Sequence, residues 1–499
     1  MQNTRPNIVL IMVDDMGYSD LGCYGSEIRT TNLDELASNG LRFSQFYNAA
    51  RCCPTRASLL TGLYPHQAGV GKMINNQGPG PYQGYLNDQC VTIAEVLRQG
   101  GYATYMSGKW HVGEERPHWP VDRGFDRHYG LISGAMNYFD IRKGKSPEVK
   151  RHFARQGDEH MPPNQGFYAT DAFSDFAVEC IDQHTRPEQP FFLYLAYTAP
   201  HWPLHALPED IARYRGQYMA GWPALRQQRY QRLIELGLIQ EDWPLSEQDP
   251  AAADWDSLPE EQKREMDHKM AIYAAQIDRM DQGVGKVMEA LRRNGCEEDT
   301  LVMFLSDNGA CAESGALGTN FRPDLTGELG TADSYHSYGL SWSNVGNTPF
   351  RKHKSWVHEG GIATPFIVHW PGRIAETGGI THQVGHVIDI MATCCDVAGV
   401  PYPKQDNGRR IIPSEGLSLK PVMQGKERDP HDLIFWEHYG NRAVRDGQWK
   451  LVEDAKNGQW ELYDMENDRT EVNNLIDRKP EIAADLKAKY AAWAKRVQV

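Results

Sequence analysis

Two pairs of oxygen-bearing side chains follow apolar stretches of this sequence. Asp14 and Asp15 end the first apolar run of the chain, and Asp307 and Asn308 follow the run at residues 300–305. Carboxylate and amide oxygens suit a hard divalent cation such as Ca²⁺ or Mg²⁺ and do not make a zinc site. Each pair alone is also compatible with a turn at the end of a strand, so both interpretations stay open at this point.

A further reactive group is the thiol of Cys52, within the sequence CCPTR at residues 52–56. Proline in the first turn and the following Ala-Ser-Leu-Leu indicate that a helix begins here. The free backbone amides at a helix start favour anionic oxygens. Taken alone, the segment could also be a buried cysteine pair at the start of a helix.

The CCPTR segment resembles the modification signature of the formylglycine-dependent sulfatases, which belong to the alkaline phosphatase superfamily. In that family the first cysteine of Cys-x-Pro-x-Arg is oxidised to an aldehyde. The resemblance therefore implies that Cys52 supplies the nucleophile and that a formylglycine-generating enzyme is a partner during maturation. One hydroxyl of the hydrated aldehyde can attack sulfur, and loss of the proton of the other hydroxyl then expels sulfate and restores the aldehyde. Arg51 departs from the small or aliphatic residue that is usual before the signature.

Residues 101–111, with the sequence GYATYMSGKWH, closely match a second signature of the same family. The resemblance implies that Lys109 contacts the sulfate oxygens and the aldehyde hydrate. It also implies that His111 is the base that drives release of sulfate, a task that suits a neutral imidazole. Without the resemblance, a Lys-x-His sequence would more often be a surface feature.

Three other residues gain an expected role from the resemblance. His201, after the apolar run at residues 190–197, is expected to protonate the leaving-group oxygen. Lys354 stands five positions before a Glu-Gly-Gly sequence, which is the spacing of the remaining active-site lysine in the family; Lys352 is its close competitor. Arg56 is expected to reach back to the formylglycine.

The resemblance also gives the two oxygen-bearing pairs a common role. In the family, such pairs bind one calcium ion together with an oxygen of the modified cysteine. The implied metal ligands are Asp14, Asp15, Cys52, Asp307 and Asn308. The resemblance extends over nearly the whole chain, and residues 460–464 look like the ending of bacterial arylsulfatases.

The elements that must position these residues are short apolar runs that alternate with helical patterns. The runs are typical of strands buried on both faces. They lie at residues 7–13, 190–197, 300–305 and 363–369, with helical patterns at 32–38, 91–99, 170–183 and 262–293. This alternation predicts an α/β fold with a predominantly parallel sheet flanked by helices. The resemblance implies the large mixed, mainly parallel sheet of an alkaline phosphatase-like fold. Polar residues after such strands meet in a crevice where ligands bind.

The composition changes to Pro, Gly and charged residues around residues 401–427, which indicates a linker or surface crossing. We therefore expect a catalytic α/β domain at residues 1–425 and a small C-terminal α+β subdomain at residues 426–499. Short strands with tight turns and a final helix at 480–496 predict a small antiparallel sheet plus helix. Residues 208–261 are rich in charge and Trp and indicate an inserted, largely helical layer.

The overall charge excludes several partner classes. With 52 Lys and Arg against 66 Asp and Glu, the 499-residue chain carries a formal charge of −14, so nothing recommends a nucleic-acid or anionic-membrane partner.

No apolar run approaches the roughly 20 residues that span a bilayer. The start of the chain is not typical of a secretion signal, which favours a cytoplasmic protein, or a periplasmic one after removal of a signal peptide. Nine scattered cysteines do not form a complete disulfide framework.

The expected substrate is a small-molecule or carbohydrate sulfate ester. Candidate pocket walls are polar and aromatic and suit a sugar sulfate as well as an aryl sulfate. They are residues 66–87, 137–139, Trp202, residues 313–347 and His438. Two alternatives remain: a phosphonate or phosphodiester hydrolase of the same superfamily, and a non-catalytic binder of sulfated glycans with Cys52 unmodified.

Overall fold

The computed structural model describes residues 5–146, 148, 150–186 and 188–499. Its main feature is a central sheet that has eleven strands within the described residues. These strands are β1 (Asn7–Asp14), β2 (Leu41–Tyr47), β3 (Ala103–Gly108), β4 (Arg127–Leu131), β5 (Phe153–Arg155), β6 (Asp158–Glu159), β7 (Phe191–Pro200), β8 (Thr300–Ser306), β9 (Ala363–His369), β10 (Gly379–Thr381) and β11 (Gly385–His386). The apolar runs of the sequence correspond to β1, β7, β8 and β9.

The strand order is β10-β2-β9-β8-β1-β7-β3-β4-β5-β6, and β11 pairs with β2. The central strands β8, β1, β7, β3 and β4 are parallel to one another, whereas β9 is antiparallel to both β8 and β2. The prediction of a mixed, mainly parallel sheet is therefore confirmed.

Helices cover both faces of the sheet. The helices are α1 (Thr31–Ser38), α2 (Cys52–Thr61), α3 (Ile93–Gln99), α4 (Ala169–Asp182), α5 (Pro208–Ile211), α6 (Gly221–Glu235), α7 (Glu260–Arg293), α8 (Gly339–Gly346), α9 (Glu359–Ile362), α10 (Asp389–Ala398), α11 (Lys420–Met423) and α12 (Pro480–Val497), and short 3-10 helices lie at Gly22–Tyr24, Pro120–Arg123 and Glu297–Asp299. In the described part of the chain, no helix combines the length and the apolar character needed to cross a membrane.

The alternation of side chains along β1 divides the core into two layers. Val9, Ile11 and Val13 pack on the side of α1, α4 and α7, whereas Ile8 and Leu10 pack on the side of α2, α3 and α10. Successive side chains of a strand point to opposite faces, so an unbroken apolar run is what a strand covered on both faces requires.

The C-terminal part forms a separate four-stranded antiparallel sheet, as the sequence predicts. It consists of β14 (Ile434–His438), β15 (Asn441–Asp446), β16 (Trp449–Asp454) and β17 (Gln459–Asp464), and α12 packs on it through Leu486 and Trp493. A small ladder of β12 (Gln405–Asp406) and β13 (Arg409–Arg410) precedes it.

Residues 208–261 are less helical than the sequence indicates. Only α5, α6 and the first two residues of α7 are helical there, and the stretch after α6 is irregular. Pro244 and Pro250 lie in this stretch, and proline removes a backbone donor and disfavours helix continuation. Trp222 and Trp255 still give the layer an apolar centre, since their rings pack edge to face with centroids 4.7 Å apart.

Candidate functional site

The candidate residues all arrive at one edge of the central sheet. The parallel strands β1, β3, β7 and β8 end at this edge, while the antiparallel β9 begins there and β2 ends there. Loops after parallel strands meet at their carboxyl ends, so residues far apart in sequence become neighbours. The residues delivered in this way are Asp14, Asp15, Cys52, Arg56, Lys109, His111, His201, Asp307, Asn308 and Lys354.

The two oxygen-bearing pairs form one buried cluster. Asn308 Nδ2 donates a hydrogen bond to Asp15 Oδ1 over 2.7 Å, and Asp15 N donates to Asp307 Oδ1 over 3.3 Å. Among the described residues, Asp14 Oδ1 and Asn308 Oδ1 receive no hydrogen bond, although both atoms are buried. Buried acceptors without a donor are rare in proteins, and hard oxygen atoms of this kind fit a calcium-type cation.

The negative charges of Asp14 and Asp307 repel each other within this cluster. Burial raises the pKa of Asp307 well above its ordinary value, and the negative charge of Asp14 adds to the effect. Burial also acts to raise the pKa of Asp14, but the positive charges of Lys109, His201 and Arg56 outweigh it and lower that pKa. A divalent cation beside the two carboxylates would allow both to ionise.

Two buried lysines each pair with one acid of the cluster. Lys109 Nζ lies 2.6 Å from Asp14 Oδ2, and Lys354 Nζ lies 2.8 Å from Asp15 Oδ1. Burial alone would lower the pKa of Lys354, but the negative charge of Asp15 raises it well above its ordinary value. The Lys354 ammonium group is therefore held in charged form beside the oxygen cluster.

The structure separates Lys354 from its competitor Lys352. The Lys354 side chain is 2% exposed, whereas that of Lys352 is 22% exposed and lies over the ring of Trp356, 4.5 Å from its centroid. The acid nearest to Lys352 is Asp249, at 3.9 Å. Lys354 is therefore the lysine that belongs to the oxygen cluster.

Arg56 fixes two parts of the cluster at once. Its Nε and Nη2 atoms donate to Asp307 Oδ2 over 3.1 and 2.8 Å, and Nη1 donates to the Lys109 carbonyl oxygen over 2.8 Å. The side chain is completely buried. The hydrogen bonds of Arg56 thus orient Asp307 and the end of β3, and the planar guanidinium suits this forked geometry.

Cys52 is the first residue of α2, and every residue of this helix is buried. A hydrogen bond from Cys53 lowers the pKa of the Cys52 thiol well below its ordinary value, and the charge of Lys109 acts in the same direction, against burial. Cys53 Sγ in turn hydrogen-bonds with His111 Nε2 at 3.3 Å. The sequence does not predict this contact between Cys53 and His111, because any residue can follow the first cysteine of the Cys-x-Pro-x-Arg motif.

His111 is held as a neutral base. Burial lowers its pKa to about 4, and the nearby charge of Lys109 contributes to the shift. Gly134 lies against the ring, since a Cβ atom there would stand 2.4 Å from His111 Nε2. At neutral pH the imidazole is therefore unprotonated and ready to accept a proton.

His201 lies between the oxygen cluster and the backbone of Trp202. Its Nδ1 lies 2.6 Å from the carbonyl oxygen of Trp202, and its Nε2 lies 3.4 Å from Asp15 Oδ2. Burial lowers the pKa of His201, while the charge of Asp15 opposes that shift. Donation of Nδ1–H to the carbonyl orients the ring so that Nε2 is the atom available for proton transfer.

An ion pair at the rim of the site is not evident from the sequence. Arg51 Nη2 lies 2.9 Å from Glu313 Oε1, and Trp202 Nε1 donates to the other Glu313 oxygen over 3.1 Å. Burial opposes ionisation of Glu313, but the charges of Lys354 and Arg51 lower its pKa to about 2. Arg51 is thus connected to two of the expected wall residues, Glu313 and Trp202. His438 is completely buried and does not line the rim.

Comparison with known proteins agrees with this geometry. A profile of the sulfatase family matches residues 6–400, and a profile described as N-sulphoglucosamine sulphohydrolase, C-terminal, matches residues 350–496. The chain is 36% identical to the arylsulfatase of Klebsiella aerogenes, over 86% of this chain and 94% of that protein. It is 34% identical to an uncharacterized sulfatase of Schizosaccharomyces pombe, over 97% of this chain and 92% of that protein.

Solved structures place the fold in the same group. The crystal structure of Ps i-CgsB in complex with k-i-k-neocarrahexaose superposes with a TM-score of 0.72 and 27% sequence identity, over 98% of this chain and 93% of that chain. The predicted fold class, including the small C-terminal sheet, is confirmed by this likeness. The protein is a sulfatase, an enzyme that hydrolyses sulfate esters, and the chain belongs to the sulfatase family of the alkaline phosphatase-like superfamily.

Proposed function

We propose that this protein hydrolyses aryl or carbohydrate sulfate monoesters, with a formylglycine made from Cys52 as the nucleophile and one bound calcium ion. One observation carries the proposal. Cys52 is the first residue of α2 and lies at the sheet edge where the buried Asp and Asn oxygens and the two buried lysines lie together. The charge of Lys109 acts on its thiol. The start of a helix is a suitable place for an anionic sulfate group.

The proposed metal ligands are Asp14, Asp15, Asp307 and Asn308, with an oxygen of the modified Cys52 as a further ligand. The unpaired oxygens of Asp14 and Asn308 support this assignment. When bound, the calcium ion would supply positive charge to the nucleophile and to the sulfate oxygens. The three carboxylates are already balanced by Arg56, Lys109 and Lys354, so the ion would leave the site net positive, as an anionic substrate requires.

We assign binding and positioning roles to the buried cations. Lys109 and Lys354 hold sulfate oxygens, and their ion pairs with Asp14 and Asp15 keep the two side chains in place for this. Arg56 acts on the substrate indirectly, because it orients Asp307 and Lys109 through hydrogen bonds to the Asp307 carboxylate and the Lys109 carbonyl. Fixed charges of this kind need no reorganisation when negative charge moves during the reaction.

The two histidines take the proton-transfer roles in this proposal. His111 accepts a proton at Nε2 from the hydroxyl that is not esterified, since burial keeps this ring neutral at pH 7. His201 provides a proton at Nε2 to the leaving-group oxygen, and its hydrogen bond to the Trp202 carbonyl fixes the ring for this transfer. The charge of Asp15 stabilises the protonated form of His201.

Maturation would have to precede folding. Cys52 is 2% exposed and all of α2 is buried, so an enzyme cannot reach this residue in the folded chain. A formylglycine-generating enzyme would therefore act on the unfolded or nascent protein. The folded protein with an intact Cys52 thiol should then remain unmodified when it is mixed with that enzyme.

Support for a carbohydrate substrate comes from the relatives. Ps i-CgsB was solved in complex with k-i-k-neocarrahexaose, and other relatives are named N-acetylgalactosamine-6-sulfatase, at 28% identity. The arylsulfatases of Klebsiella aerogenes and human, at 36% and 30% identity, support an aryl ester as an alternative. We therefore include both ester classes in the proposal.

The proposal is tested by comparing 4-nitrophenyl sulfate with the matching aryl phosphodiester, using protein produced together with a formylglycine-generating enzyme. We expect a higher kcat/KM for the sulfate ester. A clear preference for the phosphodiester would show a phosphohydrolase. Cys52→Ala is the control: it should fold normally and lose more than about 1,000-fold in kcat, as removal of a nucleophile does. Substantial activity in this variant would rule out the covalent mechanism.

A further inference from the structure

A continuous chain of hydrogen bonds joins the C-terminal sheet to the rim of the site. Asn441, the first residue of β15, donates from Nδ2 to the Ser355 carbonyl oxygen over 3.3 Å. Arg51 Nη1 donates to the Ser355 hydroxyl over 2.5 Å, and Arg51 Nη2 pairs with Glu313. Glu313 also accepts from the Trp202 indole. The hairpin between β14 and β15 is therefore anchored directly beside Cys52.

The turn of this hairpin carries an unusual residue. His438 pairs with Asn441, so the loop consists of Tyr439 and Gly440 alone. Both have positive φ angles, +51° and +84°, which is the mirror-image turn that Asn-Gly sequences favour. A bulky side chain at positive φ is a genuine outlier, and strain of this kind is concentrated at functional sites.

Only part of the Tyr439 side chain is used in packing. Its side chain is 46% exposed, which makes it one of the few large apolar groups on the surface of the described residues. Its ring lies against the buried His438, with centroids 4.2 Å apart. The charges of Arg51 and Cys52 act on its phenol, whose pKa is raised mainly by burial of the hydroxyl. The ring is thus half exposed to solvent, on a hairpin that the hydrogen bonds from Asn441 and Arg51 to Ser355 attach beside Cys52.

The neighbouring ion pair has hydrogen-bonding capacity to spare. A guanidinium has five N–H donors, and a carboxylate has about four acceptor positions. Arg51 uses two donors in these contacts and its Nε has no partner among the described residues, while Glu313 accepts two hydrogen bonds. Donors and acceptors side by side suit neighbouring hydroxyl groups, and the balanced charge of the pair does not favour a second anionic group.

We infer that Tyr439, Arg51 and Glu313 form the subsite for the leaving group, and that this leaving group is the neutral hydroxyl-bearing ring of a carbohydrate sulfate. The ring of Tyr439 covers one apolar face of the sugar, and the Arg51–Glu313 pair binds its hydroxyls. Trp202 fixes Glu313 and the adjacent His201, so the subsite is in register with the proton donor. This inference rests on the proposed sulfatase function and specifies its substrate class.

Tyr439→Asn tests the inference sharply because Asn is a better residue for this turn. The variant should melt at the same temperature as the wild type or higher, so a loss of activity cannot be attributed to misfolding. We expect the ratio of kcat/KM for the best of a panel of galactose and glucosamine monosulfates to kcat/KM for 4-nitrophenyl sulfate to fall about 10-fold or more, the effect typical of truncating an aromatic anchor. Met161→Asn, at another exposed apolar residue, should leave this ratio unchanged.

The possible outcomes separate this inference from the proposed function. If the wild type hydrolyses no sulfate ester, the proposed function fails. If the wild type is active and Tyr439→Asn keeps the ratio, only the subsite assignment fails. Glu313→Gln gives a second check: it should lower turnover of the sugar monosulfates. A gain for disulfated over monosulfated sugars in that variant would show that Arg51 binds a second anion, which contradicts the inference.

Discussion

Lys450 is the centre of a buried ionic network that ties the C-terminal sheet to the catalytic sheet. Its Nζ lies 2.8 Å from Glu359 Oε1 and 2.8 Å from Glu471 Oε1, and all three side chains are completely buried. Glu359 also accepts hydrogen bonds from Tyr47 and Arg469. Replacing Lys450 by Met keeps the length of the side chain and removes only the charge.

The cost of Lys450→Met follows from the burial of this network. Burial acts to raise the pKa of Glu359, but its positive neighbours, Lys450 first among them and then Arg469 and Arg445, lower it to about 2. Removal of one partner from a buried ion pair costs about 3–5 kcal/mol, because a charge is left buried without compensation. Since Glu359 keeps Arg469 and Tyr47, we expect the lower end, about 3 kcal/mol.

Urea unfolding followed by circular dichroism at pH 7 measures this cost. Lys489→Met is the matched control, because Lys489 also pairs with two acids, Asp446 at 2.6 Å and Asp485 at 2.8 Å, but is 35% exposed. Exposed pairs contribute about 0–1 kcal/mol, so the control should change the free energy of unfolding little.

A loss in Lys450→Met no greater than that of the control would refute the reasoning. The double variant Lys450→Met with Glu471→Gln provides a further check. It removes the carboxylate that the single variant leaves without a cation, so it should recover part of the lost stability. If the double variant is less stable than the single one, the loss does not come from an uncompensated carboxylate.

Three further predictions concern the site and the pH dependence of stability. Lys354→Ala should lower kcat/KM for 4-nitrophenyl sulfate by about 100-fold or more, whereas Lys352→Ala should stay within about 3-fold; the reverse order would assign the site lysine to Lys352. Burial lowers the pKa of His128 from 6.5 to about 3, so the unfolded chain takes up a proton below pH 6.5 that the folded chain does not. Between pH 7 and pH 5 this should cost about 2 kcal/mol of stability, and urea unfolding of His128→Phe should show a decline smaller by that amount. Calcium at 100 times its dissociation constant should raise the free energy of unfolding by about 2.7 kcal/mol in scanning calorimetry; an equal response in Asp14→Asn would contradict the metal assignment.

Much of the fold could be predicted from the sequence because its strands carry a local signal. The unbroken apolar runs of β1, β7, β8 and β9 fix strands covered on both faces, and polar residues just beyond β1 and β8 mark the functional edge. The motif at Cys52 and the signature ending at His111 are also local. They identify candidate residues before any long-range contact is known.

The rim could not be predicted in the same way, because its partners are distant in sequence. Arg51 and Glu313 are 262 positions apart, and nothing near either residue indicates that they pair. The resemblance favours Lys354 over Lys352 by spacing alone, and the structure adds that the Lys354 side chain is the one that turns inward. Tyr439 has a local signal, since it directly precedes Gly440 between two short strand patterns, but only the backbone angles show that a bulky residue occupies a strained position.

The central claim is that a formylglycine at residue 52 performs the hydrolysis. Mass spectrometry of the peptide containing residue 52 tests it most directly, on batches of protein with different degrees of modification whose turnover of 4-nitrophenyl sulfate is also measured. Conversion of Cys52 to the aldehyde removes about 18 Da. We predict that specific activity rises in proportion to the modified fraction. Full activity in protein that retains the Cys52 thiol would contradict the claim.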